Sequence, residues 1–168
     1  MPQSPAVGEN GLVTGYASLF GVPDRNGDVV MPGAFRETLK QRAARDVKFL
    51  FQHDACEPIG VWIDLYEDEK GLRVIGKLIA GVERGREAFA LIRAGAIDGL
   101  SIGFKTKTAR RATQKKQRQL LSLDLWEISL VTFPMLPGAR LAALGEAEAS
   151  QRLLQNLTQA KKLLTATY

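Results

Sequence analysis

Histidine and cysteine are almost missing from this 168-residue chain, which has one of each, His53 and Cys56. A lone cysteine excludes an internal disulfide framework and a thiolate-rich zinc site. A lone histidine excludes a histidine-cluster metal centre and a His–His catalytic pair within one chain. Apolar runs approaching the ~18 residues of a membrane span are missing too, as is an N-terminal signal-peptide pattern. The expectation is a soluble, unexported protein with no membrane partner, in keeping with a reducing cytoplasm. Internal repeats and extended low-complexity tracts are also lacking, so one domain with one core is the default at this length.

What is present is a composition 45% hydrophobic and 24% charged, with a net charge of +5 that is unevenly placed. Lys105, Lys107, Arg110, Arg111, Lys115, Lys116 and Arg118 fall in one short polar stretch, read as a solvated hairpin loop. Such a run attracts nucleic acid or acidic proteins. With no aromatic residue interleaved for base stacking, nucleic acid is not expected as a partner.

Strand character over 12–20 is followed by the turn-rich Asp24-Arg25-Asn26-Gly27-Asp28. Asp24, Asn26 and Asp28 have calcium-loop spacing, but no acidic residue completes the loop, so a turn is expected. Pro32-Gly33 leads into an amphipathic helix over 34–45. Positions 47–53 alternate, which sets Val47, Phe49, Phe51 and His53 on one face and puts His53 at a strand's end on its apolar side. Strands over 59–66 and 72–79 flank a charged, glycine-closed hairpin connection. Helical character over 84–93 stops at Gly95. Strands follow over 100–108 and 120–133, the latter broken by Pro134 and Pro137. The pattern predicts a mainly β fold with helices (α+β), a closed β-barrel or strongly bent sheet over 1–141 with a few helices around it. In the remaining 142–168, Leu153, Leu157, Ala160 and Leu164 keep one-face spacing, predicting an amphipathic helical tail that docks on the body or on a partner.

Gly99-Leu100-Ser101-Ile102-Gly103 fits G-x-S-x-G. The α/β-hydrolase reading of that pattern fails, because 104–108 continues as strand and the histidine precedes the serine. On a strand, Gly99, Ser101 and Gly103 share one face, leaving a hydroxyl flanked by two missing side chains and open to a peptide backbone. A barrel corner with an incidental serine explains the segment equally. Serine needs a base, and His53 alone can serve; a lone histidine satisfied at a core edge is the commoner circumstance. Glu127 shares its strand face with Leu121, Leu123, Leu125, Val131 and Phe133, so its carboxylate needs a partner, either an imidazole or an arginine. Asp124 lies on the opposite face and ranks second. Asp54 is too near His53 in the chain. Cys56, three residues from His53, is read as a free structural thiol.

Together these segments resemble the prohead-maturation proteases of tailed phages, relatives of the herpesvirus assemblin proteases. The matching pieces are Gly27-Asp28-Val29-Val30 with Pro32-Gly33-Ala34-Phe35, Phe51-Gln52-His53-Asp54 with Pro58-Ile59-Gly60, Gly99 to Phe104, and Trp126-Glu127-Ile128-Ser129-Leu130-Val131 leading to Pro134. Their order is the family's, over roughly residues 11–141. The resemblance implies a bent antiparallel β-barrel of the herpesvirus-protease type surrounded by a few helices, and a cofactor-free serine endopeptidase. It makes Ser101 the nucleophile, His53 the base and Glu127 the orienting acid. Herpesvirus relatives carry a second histidine where this chain has the carboxylate. The implied substrates are the scaffold protein or a scaffold-like N-terminal extension of the major capsid protein, cleaved inside the assembling prohead in the host cytoplasm. A self-processing homodimer is expected, with backbone N–H groups of loop 133–140 facing the oxyanion.

Overall fold

A computed structural model describes residues 7–8, 10–112 and 117–142. Apart from Ala142, which is in a strand, the predicted tail over 142–168 lies outside the described residues, as do Lys115 and Lys116. The elements run β1 (Leu12–Leu19), β2 (Asp28–Val30), α1 (Arg36–Gln41), β3 (Lys48–Phe51), β4 (Asp54–Glu67), β5 (Gly71–Leu78), α2 (Glu83–Arg93), β6 (Gly99–Arg111), β7 (Arg118–Val131) and β8 (Leu141–Ala142).

All the described strands belong to one curled sheet, ordered β2-β7-β3-β4-β5-β1-β8, with β6 on the other edge of β7. The short return segment at 139–142 brings the two ends together. β8 pairs with β1, Gly99 bridges to Arg140, and Leu100 N–H donates to the Ala139 carbonyl at 2.9 Å. The curl wraps one apolar interior, in which Phe49 stacks on Trp62 with ring centroids 4.0 Å apart and Phe35, Leu100, Leu123, Leu125, Ile128 and Leu130 are wholly buried. Each such side chain contributes about 1.5–3 kcal/mol relative to exposure.

Most pairings are antiparallel, as the local hairpins predict, but β2 and β3 both run parallel to β7 and share one of its edges. Between them that edge is closed by α1. Thr38 Oγ1 donates to the Leu123 carbonyl at 2.8 Å and accepts the Leu125 N–H at 3.1 Å, while Arg42 donates to the Leu125 carbonyl. This polar docking is why the helix is shorter than its amphipathic pattern predicts: Arg42 turns extended, and a separate 3-10 turn forms at Ala44–Asp46. The second helix ends where the sequence predicts, with Gly95 in the left-handed region at φ +69° donating to the Ile92 carbonyl.

The basic run is not a loop in its first half. Lys105, Lys107, Arg110 and Arg111 ride on β6, whose pairing with β7 continues to Arg111↔Arg118, and Arg118 is ion-paired with Asp28 at 2.5 Å. Strand β4 begins at Asp54, five residues before the expected start at 59. The 24–28 segment is a turn, with Asp24 Oδ1 accepting the N–H groups of Asn26 and Asp28.

Candidate active site

Strand β7 carries two side chains that alternation alone would place wrongly. Pairing with β6 matches Phe104 to Leu125 but Gly103 to Glu127, so Trp126 is an extra residue, a β-bulge. The bulge reverses the alternation. Leu123 and Leu125 fill the core before it, and Ile128 and Leu130 after it, which turns Glu127 and Ser129 to the outer face. Glu127 is therefore not on the face of Leu123 and Leu125, as strict period-two reading predicts.

His53 is likewise displaced from its expected place. Strand β3 stops at Phe51, which pairs with Asp54, and Gln52 and His53 form a two-residue turn with φ of 53° and 62°. Such turns usually take Asn-Gly, because both residues need positive φ. Here two side chains with Cβ adopt it, at a cost of about 1–2 kcal/mol each. Bonds to β7 and its end hold the turn: Gln52 N–H to the Leu130 carbonyl at 2.9 Å, Gln52 Nε2 to Thr132 Oγ1 at 2.6 Å, and His53 N–H to Ser129 Oγ at 3.2 Å.

The two displacements bring the candidate base and the candidate acid together. His53 Nδ1 lies 2.7 Å from Glu127 Oε1, with the imidazole 44% and the carboxylate 14% exposed. The bond to Glu127 raises the His53 pKa above the ordinary imidazole value, against an opposing effect of partial burial and with further help from the carboxylate's charge. Glu127 Oε2 accepts the Ser129 hydroxyl at 2.5 Å.

Ser101 faces Ser129 directly across the β6–β7 pair, two positions from the Gly103–Glu127 pair, so Ser101, Glu127 and Ser129 share the outer face. Ser101 retains 7% exposure, whereas Ser129 is fully buried. Among the described contacts no hydrogen bond joins Ser101 to the imidazole. A cavity of about 60 Å³ adjoins Ser101, lined also by Val22, Asp28, Ile102, Phe104 and Met135.

The chain itself comes close to both flanking glycines. A Cβ on Gly103 would sit 2.1 Å from Glu127 Oε1, and one on Gly99 would meet the Val131 carbonyl at 2.5 Å and the Pro134 ring at 2.8 Å. The position that a side chain would take at each glycine is occupied by the chain itself. Gly103 makes room for the carboxylate, and Gly99 for loop 133–140. Asp124 is absent from this cluster, ion-paired instead to Arg42 at 2.9 Å and accepting Trp126 Nε1–H. Cys56 is exposed on β4. Ser129 is the member that sequence reasoning missed; its place two residues beyond Glu127 on the same face was the available signal.

Residues 2–156 match the family described as caudovirus prohead serine protease. The chain is 34% identical over 148 residues to the prohead protease of Enterobacteria phage HK97, covering 87% of this chain and 65% of that protein. It is 32% identical over 150 residues to a capsid polyprotein of Pseudomonas phage PAJU2, covering 86% of this chain and 21% of that one. The chain thus spans just under two thirds of the first of these relatives and a fifth of the second. Among solved structures, the capsid assembly protease of bacteriophage T4 matches with a TM-score of 0.63 at 17% identity, covering 80% of this chain and 90% of that one. The KSHV protease matches at 0.57 and 13% identity, over 88% and 76%. These likenesses place the fold with the herpesvirus-type proteases, and the sequence match over most of its length shows that the chain belongs to the caudovirus prohead serine protease family.

Proposed function

We propose that this chain is a serine endopeptidase of capsid maturation, with Ser101 as nucleophile, His53 as general base and Glu127 as the carboxylate that orients it. The observation that carries this reading is the 2.7 Å bond between His53 Nδ1 and Glu127 Oε1, made beside Ser101 on the outer face. With Nδ1 committed to the carboxylate, Nε2 is the nitrogen free to take a proton. The Ser101 hydroxyl attacks the scissile carbonyl as Nε2 accepts its proton, and the imidazolium is stabilised by Glu127. Returning that proton to the leaving amine gives an acyl-enzyme, which water hydrolyses by the same path. The Pro134 ring against Gly99 brings loop 133–140 next to Ser101, where its backbone N–H groups serve the oxyanion.

Beyond Gly99 and Leu100, which meet the return segment, the edge of β6 away from β7 has no strand partner among the described residues, and an extended peptide can add to it as a strand. The adjoining 60 Å³ cavity then receives a substrate side chain. The substrates are the scaffold protein or a scaffold-like extension of the major capsid protein, cut inside the assembling prohead, with self-cleavage and a homodimeric enzyme. A capsid polyprotein that contains a stretch similar to this chain supports a capsid substrate.

Co-expression with the capsid protein and mass spectrometry of the products test the reading. The parent yields defined fragments, and Ser101→Ala yields none while keeping its fold. Cleavage that persists in Ser101→Ala removes the serine mechanism, and absence of cleavage in both chains leaves a non-catalytic capsid-binding module.

A further inference from the structure

Ser129 is the one polar side chain of the site to which the cleavage reading gives no task. It is fully buried, and both sides of its hydroxyl are used: the proton goes to Glu127 Oε2 at 2.5 Å, and the oxygen accepts the His53 backbone N–H at 3.2 Å. A hydroxyl has one proton to give, so Ser129 is spent as a donor and closed to substrate. It is no rival nucleophile.

Its two bonds join parts of the site that nothing else in the cluster joins, the carboxylate and the backbone of the base. Glu127 Oε1 points correctly at Nδ1 only while the carboxylate plane is fixed, and a bond to Oε2 fixes it. The Gly103 backbone closes the side toward β6. The turn carrying His53 holds two left-handed non-glycine residues, so it has a standing reason to relax, and the N–H bond to Ser129 resists that. We propose that Ser129 is a positioning residue that locks the Glu127 carboxylate and the His53 turn into one frame, so that Nε2 stays aimed at the Ser101 side.

This rests on the His53–Glu127 assignment above, and the test separates the two. Because His53 is the only histidine, imidazole NMR in a Ser101→Ala background reads one residue without cleavage. The parent titrates above the ordinary imidazole value. Ser129→Ala brings the midpoint back toward it, and Ser129→Thr, which keeps the hydroxyl, restores it. With Ser101 intact, on a peptide spanning the first bond the parent cuts, Ser129→Ala lowers kcat by roughly 10- to 100-fold with KM little changed, the scale of a small misplacement. Should Ser129→Ala fail to fold, Ser129→Cys, a much weaker donor, carries the same expectations. A parental midpoint together with parental kcat in the folded variant overturns the proposal. If the parent cuts no peptide, the protease reading falls, while the NMR midpoint still decides the role of Ser129.

Discussion

The turn between β4 and β5 and the turn between β3 and β4 each reverse an antiparallel pair, yet they are built from different materials. At the first, Asp68 does the work of a turn residue. Its Oδ1 accepts the N–H groups of Lys70 and Gly71, its Oδ2 accepts the Tyr16 hydroxyl at 2.6 Å, and its own N–H donates to the Gly71 carbonyl. Burial, reinforced by the bond to Asp68, pushes the Tyr16 phenol up to about 12, and Lys70 caps the ring at 4.4 Å. No residue there is left-handed. At the second turn, Gln52 and His53 are both left-handed without being glycine, and what holds them is borrowed from β7 and the residue that follows it. One turn is satisfied by its own residues; the other is kept strained from outside, the usual signature of a functional position.

Alanine at each turn should separate the two most sharply. His53→Ala lowers cleavage by 10³-fold or more with little change in denaturation midpoint. Asp68→Ala leaves cleavage by the folded fraction intact but costs about 1–3 kcal/mol, because the Tyr16 hydroxyl and the N–H groups of Lys70 and Gly71 lose their acceptor. Peptide cleavage rates and urea unfolding on the same preparations check both halves.

The next effect is in pH, and it has opposite signs for stability and activity. His53 has its pKa raised by folding, so its pairing with Glu127 stabilises fully below about 6.5, the unfolded value, and that contribution disappears as pH rises through the folded pKa. With His53 as the proposed general base, cleavage requires the neutral imidazole and is expected to rise over the same interval. Urea unfolding of Ser101→Ala across pH 5–9 should show the loss, and Glu127→Gln should flatten it and move the activity midpoint down. An unchanged activity midpoint in Glu127→Gln would detach the carboxylate from the base.

The smallest effect is expected at Gln52. Gln52→Gly relieves about 1–2 kcal/mol of backbone strain but loses two exposed bonds to Thr132 worth about 0.5–1.5 kcal/mol each, leaving stability nearly unchanged. Calorimetric melting that shifts by many degrees would show that the turn is not balanced in this way.

Much of this was legible in the sequence where local chemistry decides. Helix α2 with its Gly95 stop, the charged hairpin before Gly71 and the β character of 100–108 all follow from periodicity and turn residues. His53 and Glu127 could be named, the first by scarcity and the second by the need of a carboxylate for a partner. Their geometry was not legible. Gln52-His53 carries none of the glycine or asparagine that marks a two-residue turn, and the bulge at Trp126 leaves no trace in composition, so the phase of β7 was read one step out. Nor does sequence reveal that Gly103 is small for the sake of Glu127, a residue 24 positions away.

The extra residue at Trp126 also divides what selection can see on β7. Its side chain is half exposed and needs only to exist, since any amino acid that tolerates the bulge keeps the count. Removing the position would trade the two faces beyond it, sending Glu127 and Ser129 inward and Ile128 and Leu130 out. The chain's length at this point is therefore held more tightly than its spelling.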